Sequence, residues 1–174
     1  TMAQSLEIVR RRIDEAGIRQ LLERIRSRIP DITLRTSLIV GFPGETEAQF
    51  RKVLAFVEEG NFERLGVFQY SREEGTRADK LGGHLHHMTI KARHRELTSA
   101  IDQVASIVNE KQLGRTRKVL VEEDGIARSE WDAPDIDGRI FVPVDLPVGE
   151  FADVEITDHR GYDLIGVASA TAAA

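Results

Sequence analysis

The sequence predicts an α/β segment followed by a small all-β barrel. Three observations carry that expectation. Up to Gly114, apolar residues recur at helical spacing around two short apolar runs; beyond it the period becomes alternating. The charge balance also changes sign there, with 18 Lys/Arg against 16 Asp/Glu in residues 1–114 and 6 against 13 in residues 115–174. Finally, 174 residues with 41% hydrophobic and 30% charged content suit one large domain or two small ones. The expected domains are 1–114 and 115–167, with 168–174 as a disordered tail.

The elements follow in order. Leu6, Ile8, Val9 and Ile13 precede Gly17, and Ile18, Leu21, Leu22, Ile25 and Ile29 follow it at helical spacing, so a helix broken near Gly17 and closed by Pro30-Asp31 is expected. Thr33–Val40 ends in the apolar run Leu38-Ile39-Val40, which suits a buried parallel strand. Gly41-Phe42-Pro43-Gly44 turns the chain. Thr46 and Gln49 then form a capping-box pattern ahead of Phe50, Val53, Leu54 and Val57, an amphipathic stripe that Gly60 stops. Leu65–Tyr70 is a second strand, parallel to the first across the helix. Ser71–Gly83 reads as loop. Ile90, Leu97, Ile101, Val104 and Val108 mark a long helix ending near Gly114. Five short strands are expected at Thr116–Glu123, Ile126–Trp131, Arg139–Val144, Phe151–Thr157 and Tyr162–Val167, enough for a closed barrel.

Composition excludes several chemistries. There is no cysteine, so these residues supply no disulfide, thiolate nucleophile or iron–sulfur ligand. No run of about eighteen apolar residues or signal-peptide core occurs, so no membrane role is expected and the chain reads as soluble and cytoplasmic. His84, His86 and His87 cluster without a companion ligand, so no metal site is assigned. The adjacent pairs Glu58/Glu59, Glu73/Glu74 and Glu122/Glu123 point apart and read as solvated charge. No catalytic residue is named.

Two places could bind. Gly41, Phe42, Pro43 and Gly44 lie where open α/β sheets hold ligands and where helix amides favour anions; the alternative is a plain βα connection with two glycines at positive φ. The turn is neither a P-loop nor a dinucleotide fingerprint. Tyr70 and the polar residues after it occupy the matching place beyond the next strand and could complete one site. Ser129–Gly138 holds the sole tryptophan and four carboxylates. It is either a polar hairpin or a partner-facing loop in which Trp131 is an anchor ringed by Asp132, Asp135 and Asp137. Phe141, Phe151 and Tyr162 could stack on bases, but core packing explains them more simply.

Leu34–Thr46, Val67–Ser71 and Glu74–Ala78 together resemble the radical S-adenosylmethionine methylthiotransferases. The alternating C-terminal strands resemble their TRAM domain. The resemblance covers the chain from about Leu21 and implies a partial radical-SAM (β/α) barrel remnant with a long helix, then a five-stranded OB-like TRAM barrel. It also implies S-adenosylmethionine and two iron–sulfur clusters as cofactors of the full-length enzyme. Gly41, Phe42, Pro43, Gly44 and Tyr70 would lie beside the S-adenosylmethionine. The reaction implied is hydrogen abstraction by a 5′-deoxyadenosyl radical and methylthio insertion at the β-carbon of an aspartate in a small-subunit ribosomal protein.

The sequence departs from the family in lacking every cluster cysteine, in matching only loosely over Thr1–Gln20 (with Arg11 or Arg12 for a basic residue), and in placing Trp131 where a small residue is expected. It therefore reads as the C-terminal portion of such an enzyme, inactive alone and needing the missing N-terminal part, or as a degenerate scaffold. The balance of −7 in residues 115–174 favours the branch acting on a basic ribosomal protein, since a tRNA grip should be basic. A tRNA-modifying relative or an RNA-binding module is the alternative, and nucleic acid is an unlikely partner on this charge.

Overall fold

The computed structural model describes residues 14–134, 136 and 138–169. Leu6, Ile8, Val9, Arg11, Arg12, Ile13, Asp135, Asp137 and the end of the expected tail lie outside the described residues. The chain divides into two compact units, Thr1–Ile101 and Asp102–Ala174.

In the first unit, α1 (Glu15–Arg28) begins at Asp14, whose carboxylate accepts from the Gly17 amide at 2.8 Å. Gly17 therefore sits in the first turn of a capped helix, where a side-chain acceptor satisfies its exposed amide; the segment ahead of Asp14, on which the expected break depends, lies outside the described residues. Strand β1 (Arg35–Val40) leads to α2 (Glu47–Glu58), which opens with the full Thr46/Gln49 capping box. Strand β2 (Arg64–Gln69) pairs parallel with β1, with Leu38 opposite Val67 and Ile39 opposite Phe68. Phe50, Leu54 and Val57 bury the inner stripe of α2, and Val40 is fully buried beside them in sequence order. The opposite face of the strands is open. Ile39 and Phe68 are about 60% exposed, so β1 is covered on one side only, where an apolar run reads as covered on both. Helix α3 (His87–Glu110) follows the polar loop.

Two charge pairs tie α1 to this sheet. Arg19 donates to both carboxylate oxygens of Glu59, and Arg26 pairs with Glu63 at 2.8 Å while Glu63 accepts from the Leu34 amide. The Arg19 guanidinium, followed by the Asn61 amide, holds the Glu59 carboxyl down from 4.5 to about 2. A carboxylate depressed by folding stabilises above its unfolded pKa, and that contribution disappears as pH falls through the folded pKa. Acid unfolding followed by circular dichroism should therefore lose a component between pH about 4.5 and about 2. Arg19→Ala should flatten that component by lowering stability above pH about 5 while leaving it unchanged near pH about 2, and the loss should be small because the pair is solvent-exposed.

The second unit contains β3 (Thr116–Glu123), β4 (Ile126–Ser129), β5 (Ile140–Phe141), β6 (Phe151–Arg160) and β7 (Asp163–Ala168). They close in the order β3-β4-β5-β7-β6, with every pairing antiparallel except β5 with β7. Val119, Val121, Ala127, Ile140, Val142, Val154, Ile156 and Leu164 fill the interior. Strands β4 and β5 are shorter than their alternation suggests, and β6 runs past the expected end at Thr157 to Arg160.

Phe141 and Phe151 are 40% and 71% exposed, which corrects the expectation that they pack inside. Successive strand residues face opposite sides, and Ile140 and Val142 hold the inward positions around Phe141. The outward register aligns Ile126, Phe141 and Ile165 across β4, β5 and β7. Tyr162 is half-buried, and its hydroxyl donates to Asp102 at 3.1 Å.

Candidate functional site

Gly41 and Gly44, at φ of 82° and 81°, bend the chain between β1 and α2. Every turn amide with a recorded bond is satisfied internally. Gly41 donates to Glu45 Oε2 at 3.1 Å, Gly44 to the Gly83 carbonyl, Glu45 to the Phe42 carbonyl and Thr46 to Gln49 Oε1. These four amides are committed and are not available to a phosphate.

The Gly44–Gly83 bond brings the polar loop after β2 onto the turn, so the two segments beyond the strand ends meet. The Phe42 and Tyr70 rings stand edge to face with centroids 5.5 Å apart, and the His84 ring lies 6.2 Å from Tyr70. The Tyr70 hydroxyl is buried and has no hydrogen-bond partner among the described residues. Gly41 and Pro43 are buried, Phe42 is half-buried and Gly44 is exposed.

Behind the turn lies a charge cluster that the sequence reading missed. Arg93 of α3 donates to Glu45 Oε1 at 2.6 Å and to Glu47 Oε2 at 2.9 Å. Arg93, and to a lesser degree Arg51, hold the Glu47 carboxyl below its ordinary value. An arginine inside a helix usually reads as solvated. The available signal was spacing, since Arg93 falls between Ile90 and Leu97 on the apolar stripe. His86 and His87 stack on each other at 4.4 Å, and His86 Nδ1 accepts from the Met88 amide at the start of α3, which gives that histidine a local role.

In the second unit, Asp132 is buried, with its carboxylate accepting from the Ser129 hydroxyl at 2.6 Å and the Ser129 amide at 3.3 Å. Its place among partner-facing carboxylates is therefore corrected: it holds the end of β4. Trp131 is half-buried, with the Arg117 guanidinium 3.5 Å above its ring. Asp132→Ala should destabilise this unit by about 1–3 kcal/mol, the cost of leaving the Ser129 donors unsatisfied. A lower urea midpoint in Trp131 fluorescence would measure it, and Asp132→Asn, which keeps an acceptor oxygen, should recover part of the loss.

Residues 113–168 match the TRAM domain family. The ribosomal protein uS12 methylthiotransferase RimO of Opitutus terrae is 53% identical over 150 residues, 86% of this chain and 32% of that protein. The proteins of the same name from Akkermansia muciniphila and Syntrophotalea carbinolica are each 48% identical, over 91% and 90% of this chain. Along most of its length the chain is similar to RimO proteins, and its C-terminal part is a TRAM domain. It spans about a third of the length of the curated relatives it matches.

Similarity to the RimO proteins raises the question of which cofactors these residues suit. Iron–sulfur clusters do not fit: the sequence has no cysteine, and no group of three His, Asp or Glu placed to hold a metal occurs among the described residues. S-adenosylmethionine fits better. An aromatic pair and an uncommitted buried hydroxyl suit an aromatic base. No helix among the described residues is long and apolar enough to cross a membrane.

Proposed function

We propose that this chain supplies one wall of an S-adenosylmethionine site and a substrate-docking barrel to a cytoplasmic methylthiotransferase that modifies an aspartate of a basic small-subunit ribosomal protein. Support for the chemistry comes from the identity with RimO proteins along most of the chain. Gly41, Phe42, Pro43, Gly44 and Tyr70 would bind the adenosyl part, with the Tyr70 hydroxyl as the polar contact. When bound, S-adenosylmethionine supplies the radical and methyl chemistry. The residues described here hold and orient it, and the iron–sulfur clusters need ligands from elsewhere.

One observation carries the substrate reading: the excess of 13 acidic over 6 basic residues in 115–174. An anionic barrel repels phosphate backbones and speeds encounter with a basic protein. Trp131, Asp135 and Asp137 would lie on the docking loop; Asp132, being buried, is left out. The test is binding of the whole chain to uS12 and to tRNA across a salt series. Binding to uS12 that weakens with salt, with none to tRNA, is the expected result. Salt-sensitive tRNA binding tighter than that to uS12 would favour the tRNA-modifying alternative.

A further inference from the structure

The turn between β1 and α2 does not hold its own shape. The Glu45 side chain, only 10% exposed, uses one carboxylate oxygen to accept the Gly41 amide and the other to accept Arg93 Nη1. The Arg93 side chain, 8% exposed, also donates to the Glu45 carbonyl at 3.2 Å and to Glu47, with its guanidinium 5.2 Å above the Phe50 ring. Three residues of α3 meet the turn and the strand beside it: Ile90 lies against Gly41, Arg93 holds Glu45, and His94 Nε2 donates to the Val67 carbonyl at 3.2 Å. Leu97, further along the helix, is fully buried.

A carboxylate this buried needs its cation. Without Arg93, Glu45 is left without its cation and turns toward water, which weakens its grip on the Gly41 amide. Glu45 thus transmits the position of α3 to the turn, atom by atom.

We propose that Arg93 is a positioning residue for S-adenosylmethionine at the Gly41–Glu45 turn, acting through the Glu45 carboxylate without touching the ligand. The proposal rests on reading that turn as the S-adenosylmethionine site. Phe42 and Pro43 lie between Gly41 and Glu45, which the carboxylate–amide bond joins, so that bond sets where the Phe42 ring meets Tyr70.

The test uses the whole chain, with S-adenosylmethionine itself as probe and nuclear magnetic resonance of the Gly41 and Gly44 amides as readout. Arg93→Gln and Glu45→Gln should each weaken binding at least about tenfold, and the double substitution should be no worse than either, as for residues acting as one unit. Arg93→Lys, which keeps a charge within reach of Glu45, should restore much of the affinity. Leu97→Ala, a packing change outside the tie, should lower the melting temperature and leave affinity within about twofold. Without ligand, Gly41 amide exchange should quicken in Arg93→Gln while exchange at Leu54 does not. If the unsubstituted chain does not bind S-adenosylmethionine, the site reading fails and takes this proposal with it. Binding that Arg93→Gln leaves within twofold, or equal losses in Arg93→Gln and Leu97→Ala, overturns the Arg93 assignment and leaves the site reading standing.

Discussion

Gly41→Ala is expected to destabilise the first unit by about 2–5 kcal/mol, adding the strain of a left-handed alanine to that of overpacking. A Cβ at Gly41 would stand 2.6 Å from Ile90 Cγ1 and 2.8 Å from Cγ2, at a backbone φ of 82°. Gly75 separates the two costs, because its φ is 80° and its Cβ would meet nothing within 4 Å. Gly75→Ala should therefore cost only the backbone part, about 1–2 kcal/mol. Urea unfolding followed by amide exchange at Val40 and Leu54 measures both. Combining Gly41→Ala with Ile90→Ala should recover some of the loss, since the β-branched side chain is the obstacle. Equal costs at Gly41 and Gly75 would mean that Ile90 does not press on the turn.

The second large effect belongs to the barrel. A Cβ at Gly138 would lie 2.1 Å from the Tyr162 carbonyl oxygen and 2.7 Å from its carbon. The obstacle is backbone, so no rotamer change relieves it. Two bonds lock the same approach: Leu164 donates to the Arg139 carbonyl at 2.9 Å, and the Arg139 amide donates to Asp163 Oδ1 at 2.8 Å. Gly138→Ala should cost about 3 kcal/mol or more, at the upper end of single substitutions. Trp131 is the sole tryptophan, so its fluorescence during denaturation reports this unit directly. A midpoint unchanged from the parent would refute the close approach.

Local chemistry was the most legible part of this sequence. The Thr46/Gln49 box announced α2, and alternation after Gly114 announced the barrel, because caps and face periodicity act over a few residues. Which strand face turns inward was less legible. Phe141 and Phe151 are large and apolar, yet parity set by Ile140, Val142, Val154 and Ile156 puts them outside. At Gly17 propensity alone does not announce the cap that the Asp14 carboxylate three residues earlier supplies. Asp132 was counted with its charged neighbours, since nothing short of the fold turns it toward Ser129. Arg93 and Glu45 lie 48 positions apart, a separation at which sequence pattern carries no pairing information.

Strand β5 is two residues long and, among the described residues, links β4 to β7 in the ring. A ring is no firmer than its shortest stave. Transient opening there would bare one edge of β4 and one of β7, each with unpaired backbone groups. At high concentration those edges are the natural starting point for strand exchange between molecules, so dimers that accumulate slowly on storage should join along this seam.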